Sequence, residues 1–222
     1  MELNKYIDHT ILNSDATKKD IERICKEAIE HNFASVCVNL YYTEMVKELL
    51  KQSDVKTTTV IGFPLGAVTT AVKVFEGLQA IKNGTDELDM VMNIGALKNK
   101  EYEYVLNDIK EIAKICQDNV TLKVILETAL LTNEEKKIAC ELAVEAGADF
   151  VKTSTGFSKG GATVEDIKLM NNVVKGQAQI KASGGIRDQD KAIEMIEAGA
   201  KRIGASASVN IIKGQAVLNS DY

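Results

Sequence analysis

One short stretch, DFVKTSTGFSKGGAT at residues 149–163, combines residue types that could carry out covalent chemistry. Lys152 lies directly after the apolar pair Phe150 and Val151, and before a turn rich in hydroxyl residues and glycine. A lysine amine can attack a carbonyl carbon and form a Schiff base, provided that the amine is uncharged. The stretch therefore indicates a nucleophilic lysine, against the plainer alternative of a solvated surface charge.

Two further residues could assist such an amine. Lys181 lies in the run QIKAS and is followed by the small-residue turn SGG. Asp89 lies within the apolar run LDMVM, where an unpaired carboxylate would be costly to bury. If Val151 and Ile180 face outward, strand parity points both lysines into one cavity. We therefore expect a buried group of two amines and one carboxylate.

Glycine-rich turns form a second group of candidate functional residues. They are STG (154–156), SGGIR (183–187) and IGAS (203–206), and Ser206 adds a hydroxyl donor. Backbone N–H groups in such loops, with the N-terminus of a following helix, commonly bind phosphate. The sequence has neither the P-loop pattern nor a G-x-G-x-x-G after a strand. The turns therefore predict a phosphate site of another kind.

The elements that must position these residues alternate regularly along the chain. Eight short runs rich in β-branched residues are separated by amphipathic stretches, and they cover residues 6–11, 34–39, 56–62, 87–93, 121–127, 149–154, 179–183 and 201–206. This pattern predicts a single-domain (β/α)8 TIM barrel over residues 1–222, with its active site at the C-terminal ends of the strands. A doubly wound open sheet is the alternative.

Apolar spacing and end signals support helices between the strands. The predicted buried faces are Ile21, Ile24, Cys25, Ala28 and Ile29; Val105, Ile109, Ile112 and Cys116; and Ile138, Leu142 and Ala146. Capping pairs are predicted at Thr17 with Asp20, Thr132 with Glu135, and Thr163 with Asp166. Gly84, Gly147 and Gly199 are placed to end helices.

Composition limits the classes of function. The formal charge is -5 with no Lys/Arg-rich run, and there is no Trp, which argues against nucleic-acid binding. The N-terminus has no long apolar run, so we expect no membrane contact and a cytoplasmic location. The four cysteines are dispersed and form no C-x-x-C, so neither a disulfide nor a metal site is expected. Small-molecule chemistry is the favoured class. The oligomeric state is left open, with a homodimer as one alternative.

Several motifs in order make the sequence similar to the deoxyribose-phosphate aldolase family along its whole length. They are IDHTIL (7–12), IGFPLGA (61–67), ELDMVMNIGALK (87–98), KVILETALLT (123–132), FVKTSTGFSKGGAT (150–163), IKASGGIR (180–187) and IGASAS (203–208). The resemblance implies a class I aldolase without cofactor or metal. Its reaction would be the reversible cleavage of 2-deoxy-D-ribose 5-phosphate into acetaldehyde and D-glyceraldehyde 3-phosphate, in deoxyribose catabolism.

The resemblance also implies roles for individual residues. Lys152 would form the Schiff base, with Lys181 and Asp89 as catalytic partners, and Asp8 and Cys37 would have supporting roles. The implied substrate and phosphate contacts are Thr155, Gly156, Gly184, Gly185, Gly204 and Ser206. A C-terminal tyrosine assists proton transfer in some members, and this chain ends in Tyr222.

Two positions depart from the pattern of some members. Phe157 stands where those members have a lysine, and Ala207 stands where they have a second serine. Phosphate binding would then be weaker, or would depend on Lys159 or Arg187.

The chemistry needs a lysine whose pKa lies well below its ordinary value of about 10.4. An ammonium about 5 Å away contributes about 3.3 kcal/mol at an effective dielectric constant of 20. We therefore expect Lys181 to supply most of the lowering of the Lys152 pKa, and desolvation the rest. Since a carboxylate stabilises a nearby ammonium, we also expect Asp89 to lie closer to Lys181 than to Lys152.

Three other functions remain as alternatives. A metal-dependent aldolase needs about three ligands, and the chain has only two histidines. A barrel isomerase could bind a sugar phosphate and use Glu127 as base, without a covalent step. A regulatory barrel could bind phosphate without catalysis.

Overall fold

The computed structural model describes residues 1–214, excluding the side chain of Asp118. Eight parallel strands close into a barrel in chain order, with β8 paired to β1. They are β1 (Ile7–Thr10), β2 (Ser35–Asn39), β3 (Lys56–Ile61), β4 (Glu87–Val91), β5 (Thr121–Ile125), β6 (Phe150–Lys152), β7 (Gln179–Ser183) and β8 (Arg202–Ala205). The predicted TIM barrel is confirmed, and the open sheet is excluded because no strand edge remains in this closed sheet.

Helices follow the strands and cover the outside of the barrel. They are α1 (Lys18–Glu30), α2 (Thr43–Leu50), α3 (Thr70–Lys82), α4 (Ile94–Lys98), α5 (Tyr102–Cys116), α6 (Asn133–Glu145), α7 (Val164–Val174), α8 (Gln189–Glu197) and α9 (Ser208–Lys213). Within residues 1–214, none of these helices is long and apolar enough to cross a bilayer.

The hydrophobic core lies between the barrel and its helices. Val151 and Ile180 belong to this core and are fully buried, as strand parity predicts. The predicted faces of α1 and α5 are buried, except that Ile29 is 44% exposed. On α6 the predicted Ala146 is buried, but Ile138 and Leu142 are not, because the helix packs through the small Ala139, Cys140 and Ala143. Small side chains let this helix pack closely, while the larger Ile138 and Leu142 lie half-buried beside them.

Predicted helix ends are also found. Capping boxes form at Thr17 with Asp20 and at Thr132 with Glu135. At Thr163 only half of the box forms, because the Asp166 carboxylate pairs with Lys136 at 2.5 Å instead. The three glycines predicted to end helices, Gly84, Gly147 and Gly199, all have positive φ.

Candidate active site

The polar residues that the sequence pointed to lie together in the barrel interior. Asp8, Cys37, Asp89, Lys152 and Lys181 come from five different strands, and all five are buried. The register places Lys152 opposite Lys181 on neighbouring strands. These residues therefore share one space near the C-terminal ends of the strands, where barrel enzymes have their active sites.

A single carboxylate oxygen lies between the two predicted lysines. Asp89 Oδ2 accepts a hydrogen bond from Lys152 Nζ at 2.7 Å and another from Lys181 Nζ, also at 2.7 Å. The prediction that Asp89 lies closer to Lys181 is therefore wrong. Because both lysines lie at the same level of the barrel, one oxygen reaches the two amines equally.

Three further charged residues lie in this interior and were not predicted from the sequence. Lys123, Glu87 and Arg202 are all buried, and Lys123 is fully buried. Lys123 occupies the middle of the apolar run TLKVI, which is the same signal that identified Asp89. That signal identifies Lys123 as well, although the residue predicted from this strand was Glu127 at its end.

With these residues the interior contains a closed ring of alternating charges, which we call the charged ring. Its six contacts are Asp8 to Lys181 (2.5 Å), Lys181 to Asp89 (2.7 Å), Asp89 to Lys123 (2.9 Å), Lys123 to Glu87 (2.5 Å), Glu87 to Arg202, and Arg202 to Asp8 (2.9 Å). Three cations and three carboxylates alternate, so each one has two partners of opposite charge. The fully ionised ring is therefore electrically neutral.

Neutrality of the ring explains the direction of its pKa shifts. Burial alone would lower the pKa of the three ring cations, but the carboxylates outweigh it and raise the pKa of each. Burial would likewise raise the pKa of the three carboxylates, but the cations outweigh it and lower each pKa. All six groups are thus held in their charged forms at neutral pH.

Lys152 is a buried cation that does not belong to the charged ring. Among the described residues its amine has one ion-pair partner, Asp89, which already has two ring partners. The pKa of Lys152 is lowered, chiefly by burial, with Asp89 opposing and Lys181 adding to the lowering. The expectation that Lys181 supplies most of this lowering is wrong, because desolvation is the larger cause. A neutral Lys152 leaves the group formed by the charged ring and Lys152 neutral, whereas a charged one adds an uncompensated charge.

Lys152 also differs from the ring lysines in its access to the surface. It lines a cavity, whereas Lys123 and Lys181 are fully buried. The same cavity is lined by all six residues predicted to contact substrate, namely Thr155, Gly156, Gly184, Gly185, Gly204 and Ser206. The structure therefore brings the amine of Lys152 and the glycine-rich loops to one space.

Two loops around the cavity depend on glycine. Gly184 and Gly185 have φ values of +84° and +73°, a region that side chains disfavour. A Cβ at Gly204 would lie 3.1 Å from Lys181 Cε and 3.0 Å from Ser183 Cβ. Glycine at that position therefore leaves room for the Lys181 side chain.

The residues that depart from the family pattern lie at the cavity mouth or close to it. Phe157 and Arg187 line the cavity, and the Phe157 ring packs edge-on against Phe63 with centroids 5.3 Å apart. Lys159 is exposed. Ala207 lines a neighbouring depression that shares Ser206 with the main cavity. Of the two cations proposed for phosphate binding, Arg187 lines this cavity and Lys159 is exposed outside it.

Glu127, the base of the isomerase alternative, is buried and does not belong to the residues that line the cavity with Lys152. Its backbone is left-handed, with φ of +58°, and its buried carboxylate accepts hydrogen bonds from the Thr155 amide and hydroxyl. The phenylalanine that follows, Phe157, donates its amide to the same hydroxyl at 3.0 Å. Glu127 thus holds the loop that carries Thr155.

The last predicted residues are Cys37 with the other cysteines, and Tyr222. Burial raises the pKa of Cys37, which lies among the charged groups and is fully buried. Within residues 1–214 the cysteines form no disulfide, and no group of three or more His, Cys, Asp or Glu side chains has the arrangement of a metal site. Tyr222 lies outside the described residues.

The fold and the site define a (β/α)8-barrel enzyme built around a buried lysine that adjoins a glycine-lined cavity. Comparison with known proteins is consistent with this class. The pattern of the DeoC/LacD family of aldolases matches residues 3–219. The chain belongs to this family, whose members are carbon–carbon lyases.

Individual relatives are similar over nearly the whole chain. The deoxyribose-phosphate aldolase of Mycoplasma capricolum subsp. capricolum is 61% identical over 215 residues, which cover 97% of this chain and 96% of that protein. The structure of an aldolase called QR15 is 44% identical with a TM-score of 0.91, covering 95% of this chain and 94% of the other. A tetrameric deoxyribose phosphate aldolase from Aeropyrum pernix is 32% identical, with a TM-score of 0.89 and coverages of 95% and 89%.

Proposed function

We propose that the chain is a deoxyribose-phosphate aldolase that cleaves 2-deoxy-D-ribose 5-phosphate reversibly through a Schiff base on Lys152. Family membership and the naming of the relatives support the substrate. The observation that carries the proposal is the position of Lys152 at the wall of the cavity: within residues 1–214 it is a buried cation beside the charged ring whose charge the ring does not balance. Such an amine gives up its proton more readily than the ring lysines and can then act as a nucleophile.

In the proposed first step, the neutral amine of Lys152 attacks C1 of the open-chain sugar. The hydroxyl of the resulting carbinolamine takes a proton from solvent and leaves as water, which gives an iminium ion whose positive nitrogen takes the place of the lost ammonium charge. Asp89 Oδ2, 2.7 Å from the amine, is placed to stabilise this cation. The iminium carbon is the electron sink that the bond cleavage requires.

Cleavage follows when the C3 hydroxyl loses its proton. The proposed acceptor is Asp89, which takes the proton through an ordered water or through Lys181, whose ammonium first passes a proton to Asp89. The electrons of the C2–C3 bond then form the C1–C2 double bond of an enamine, and D-glyceraldehyde 3-phosphate leaves. Asp89 and Lys181 return a proton to C2, and water hydrolyses the regenerated iminium to release acetaldehyde and free Lys152.

The substrate phosphate would be held by what we call the phosphate cradle, formed by Gly184, Gly185, Arg187, Gly204 and Ser206. All five line the cavity together with Lys152. The N-terminus of α8 is capped by the Asp188 side chain, which accepts from Lys191 N at 2.8 Å. We therefore assign phosphate binding to the loop amides, the serine hydroxyl and the arginine rather than to this helix.

Supporting residues complete the proposal. Thr155 and Gly156 would contact the sugar from the loop after β6, since both line the cavity. Asp8 would keep Lys181 charged by pairing with it, and Cys37 is assigned no step because burial keeps its thiol protonated. A role in deoxyribonucleoside catabolism, a cytoplasmic location and a homodimer stay predictions.

Reductive trapping tests the covalent step. Acetaldehyde and borohydride are added to the protein, and the peptides are mapped by mass. We expect the peptide that contains Lys152 to gain one ethyl group, because borohydride reduces the iminium to a stable secondary amine. The variant Lys152→Met should not be trapped at this peptide.

A lysine in the same loop provides the matched control. Lys159 is exposed, so the variant Lys159→Met should be trapped at Lys152 as fully as the wild type. Cleavage of the sugar phosphate without trapping would favour metal-assisted or other non-covalent chemistry. Isomerisation without trapping would favour Glu127 as a base, and phosphate binding without turnover would favour a regulatory barrel.

A further inference from the structure

A buried histidine on the outside of the barrel contacts the loop that carries part of the phosphate cradle. His9 follows Asp8 on β1 and therefore points away from the barrel interior. It is 1% exposed, and its ring packs edge-on against Phe33 with centroids 5.3 Å apart. The catalytic steps proposed above make no use of this ring, so the burial of a polar side chain at this position needs another reason.

His9 is one member of a hydrogen-bonded chain between α1 and the loop after β8. Its Nε2 lies 2.7 Å from Glu27 Oε2, and Arg23 holds the other side of that carboxylate at 3.0 Å. Its Nδ1 lies 3.0 Å from the hydroxyl of Ser208, and this hydroxyl lies 2.8 Å from the Ala205 carbonyl oxygen. The chain thus ends on the backbone of the residue before Ser206.

The carboxylate of Glu27 can only accept, so His9 Nε2 donates to it. In agreement, the hydrogen bond from His9 is the largest cause of the lowered pKa of Glu27. At the other nitrogen, the hydroxyl of Ser208 can either accept from Nδ1 or donate to it, and both arrangements link the two side chains.

The segment that this chain fixes is short. Ala205 is the last residue of β8 and Ser208 is the first of α9, so the hydroxyl of Ser208 ties the two ends of a turn that contains Ser206. Both Ala205 and Ser206 line the cavity. A change in the orientation of Ser208 would therefore move Ser206 relative to a bound phosphate, while Lys152 lies on another strand.

We propose that His9 is a positioning residue for the phosphate cradle, and that it acts through the hydroxyl of Ser208 on the turn that carries Ser206. This inference rests on the proposed function, because it assumes that the turn binds the substrate phosphate. Its specific consequence is that the hydrogen bonds of His9 and Ser208 support binding of the phosphate group and leave the chemistry at Lys152 unaffected.

The test compares two substrates in the full-length protein: 2-deoxy-D-ribose 5-phosphate and 2-deoxy-D-ribose. For Ser208→Ala we expect KM for the phosphorylated sugar to rise about tenfold, as the loss of one hydrogen bond in the cradle implies. Its kcat should be unchanged, and kcat/KM for the unphosphorylated sugar should stay within about twofold of the wild type. His9→Phe, which keeps the ring packing, should have the same effect.

Two comparisons separate positioning from a loss of stability. The double variant with His9→Phe and Ser208→Ala should show no further rise in KM beyond either single variant, since both residues belong to the same hydrogen-bonded chain. Thr43→Val removes another buried hydroxyl contact, 2.9 Å from Thr59 and on a different side of the barrel, and should leave the preference for the phosphorylated sugar intact.

Three results would overturn the inference. The first is an unchanged KM for the phosphorylated sugar in both variants, and the second is an equal loss for the two sugars. Either leaves the proposed aldolase function standing. The third is a wild type without any preference for the phosphorylated sugar, which would overturn the phosphate cradle itself, whereas failure of trapping at Lys152 would overturn the covalent mechanism alone.

Discussion

Lys123 and Lys152 lie on adjacent strands of the same barrel interior, and the comparison between them shows why the pKa of one amine is raised and that of the other is lowered. Both are buried, and burial lowers the pKa of each. Lys123 lies between two carboxylates, which outweigh burial and raise its pKa. Lys152 has one carboxylate, which it shares with two ring cations, and its pKa stays lowered. The number of carboxylate partners, two for Lys123 and one for Lys152, separates the two lysines more than depth does.

The difference divides the interior into two functional parts. The charged ring is a neutral, internally paired group that fills the barrel and fixes the position of Asp89. Lys152 is added to that group from the side of the cavity, where its charge is unbalanced. A barrel that stabilises the ring therefore makes Lys152 the amine that most readily loses its proton.

The largest expected effect comes from removing the unbalanced amine. Lys152→Met should lower the rate of sugar phosphate cleavage by at least about 10⁴-fold, because the nucleophile is lost. Its free energy of unfolding should change by less than about 1 kcal/mol, since Asp89 keeps both ring partners. Steady-state kinetics and urea unfolding measure the two quantities. A destabilisation as large as that of a broken ring would contradict the comparison.

Breaking the ring should give the opposite result in stability. Lys123→Met leaves Glu87 and Asp89 each short of one cation, and we expect a loss of about 3–5 kcal/mol in the free energy of unfolding. The variant should also raise the pKa of Lys152, since Asp89 then has fewer competing cations. Urea unfolding and the pH dependence of trapping by borohydride check the two effects.

A buried ion pair outside the barrel interior serves as the control. The side chains of Lys73 on α3 and Asp108 on α5 are fully buried. Lys73 Nζ lies 2.5 Å from Asp108 Oδ2. Lys73→Met should destabilise the fold by a similar amount, yet leave the pH dependence of trapping at Lys152 unchanged. If both variants shifted that pH dependence equally, the effect of Lys123 could not be assigned to the ring.

The fold could be predicted from the sequence because its signals are local. Every observed strand lies inside its predicted run, since β-branched residues, alternating parity and helix-ending glycines each act over a few residues. The error on α6 has the same origin, because apolar spacing identifies large side chains whereas the helix packs through alanine and cysteine. Which face of a helix contacts the barrel depends on neighbours that one segment does not contain.

The site was predicted in part for a related reason. Parity within a strand indicated that Lys152 and Lys181 point inward, and the structure brings them together with Asp89. The equal distances to Asp89, and the pairing of Lys123 and Arg202 with shared carboxylates, depend on the register between strands. That register is set by closure of the barrel, and no single run of residues specifies it.

The comparison also predicts a dependence of stability on pH. Unfolded Lys152 has its ordinary pKa, and its folded pKa is lower, so between the two values the unfolded state binds more protons. The free energy of unfolding of the wild type relative to Lys152→Met should therefore rise with pH in this window, by at most about 1.4 kcal/mol per pH unit. Urea unfolding at a series of pH values measures it. A falling difference would mean that Lys152 is held charged, like Lys123.

The smallest expected effect comes from a displacement within the ring. In Gly204→Ala the new Cβ would lie 3.1 Å from Lys181 Cε, so the side chain must shift by a few tenths of an ångström. We expect a cost of about 1 kcal/mol and a fall in kcat of about fivefold, because Lys181 and Lys152 share one oxygen of Asp89. Gly95→Ala is the control, since its Cβ would meet nothing closer than Asn93 Oδ1 at 3.5 Å. An unchanged kcat in Gly204→Ala would mean that the reaction tolerates movement of Lys181, and that the ring serves Lys152 through its charge rather than its geometry.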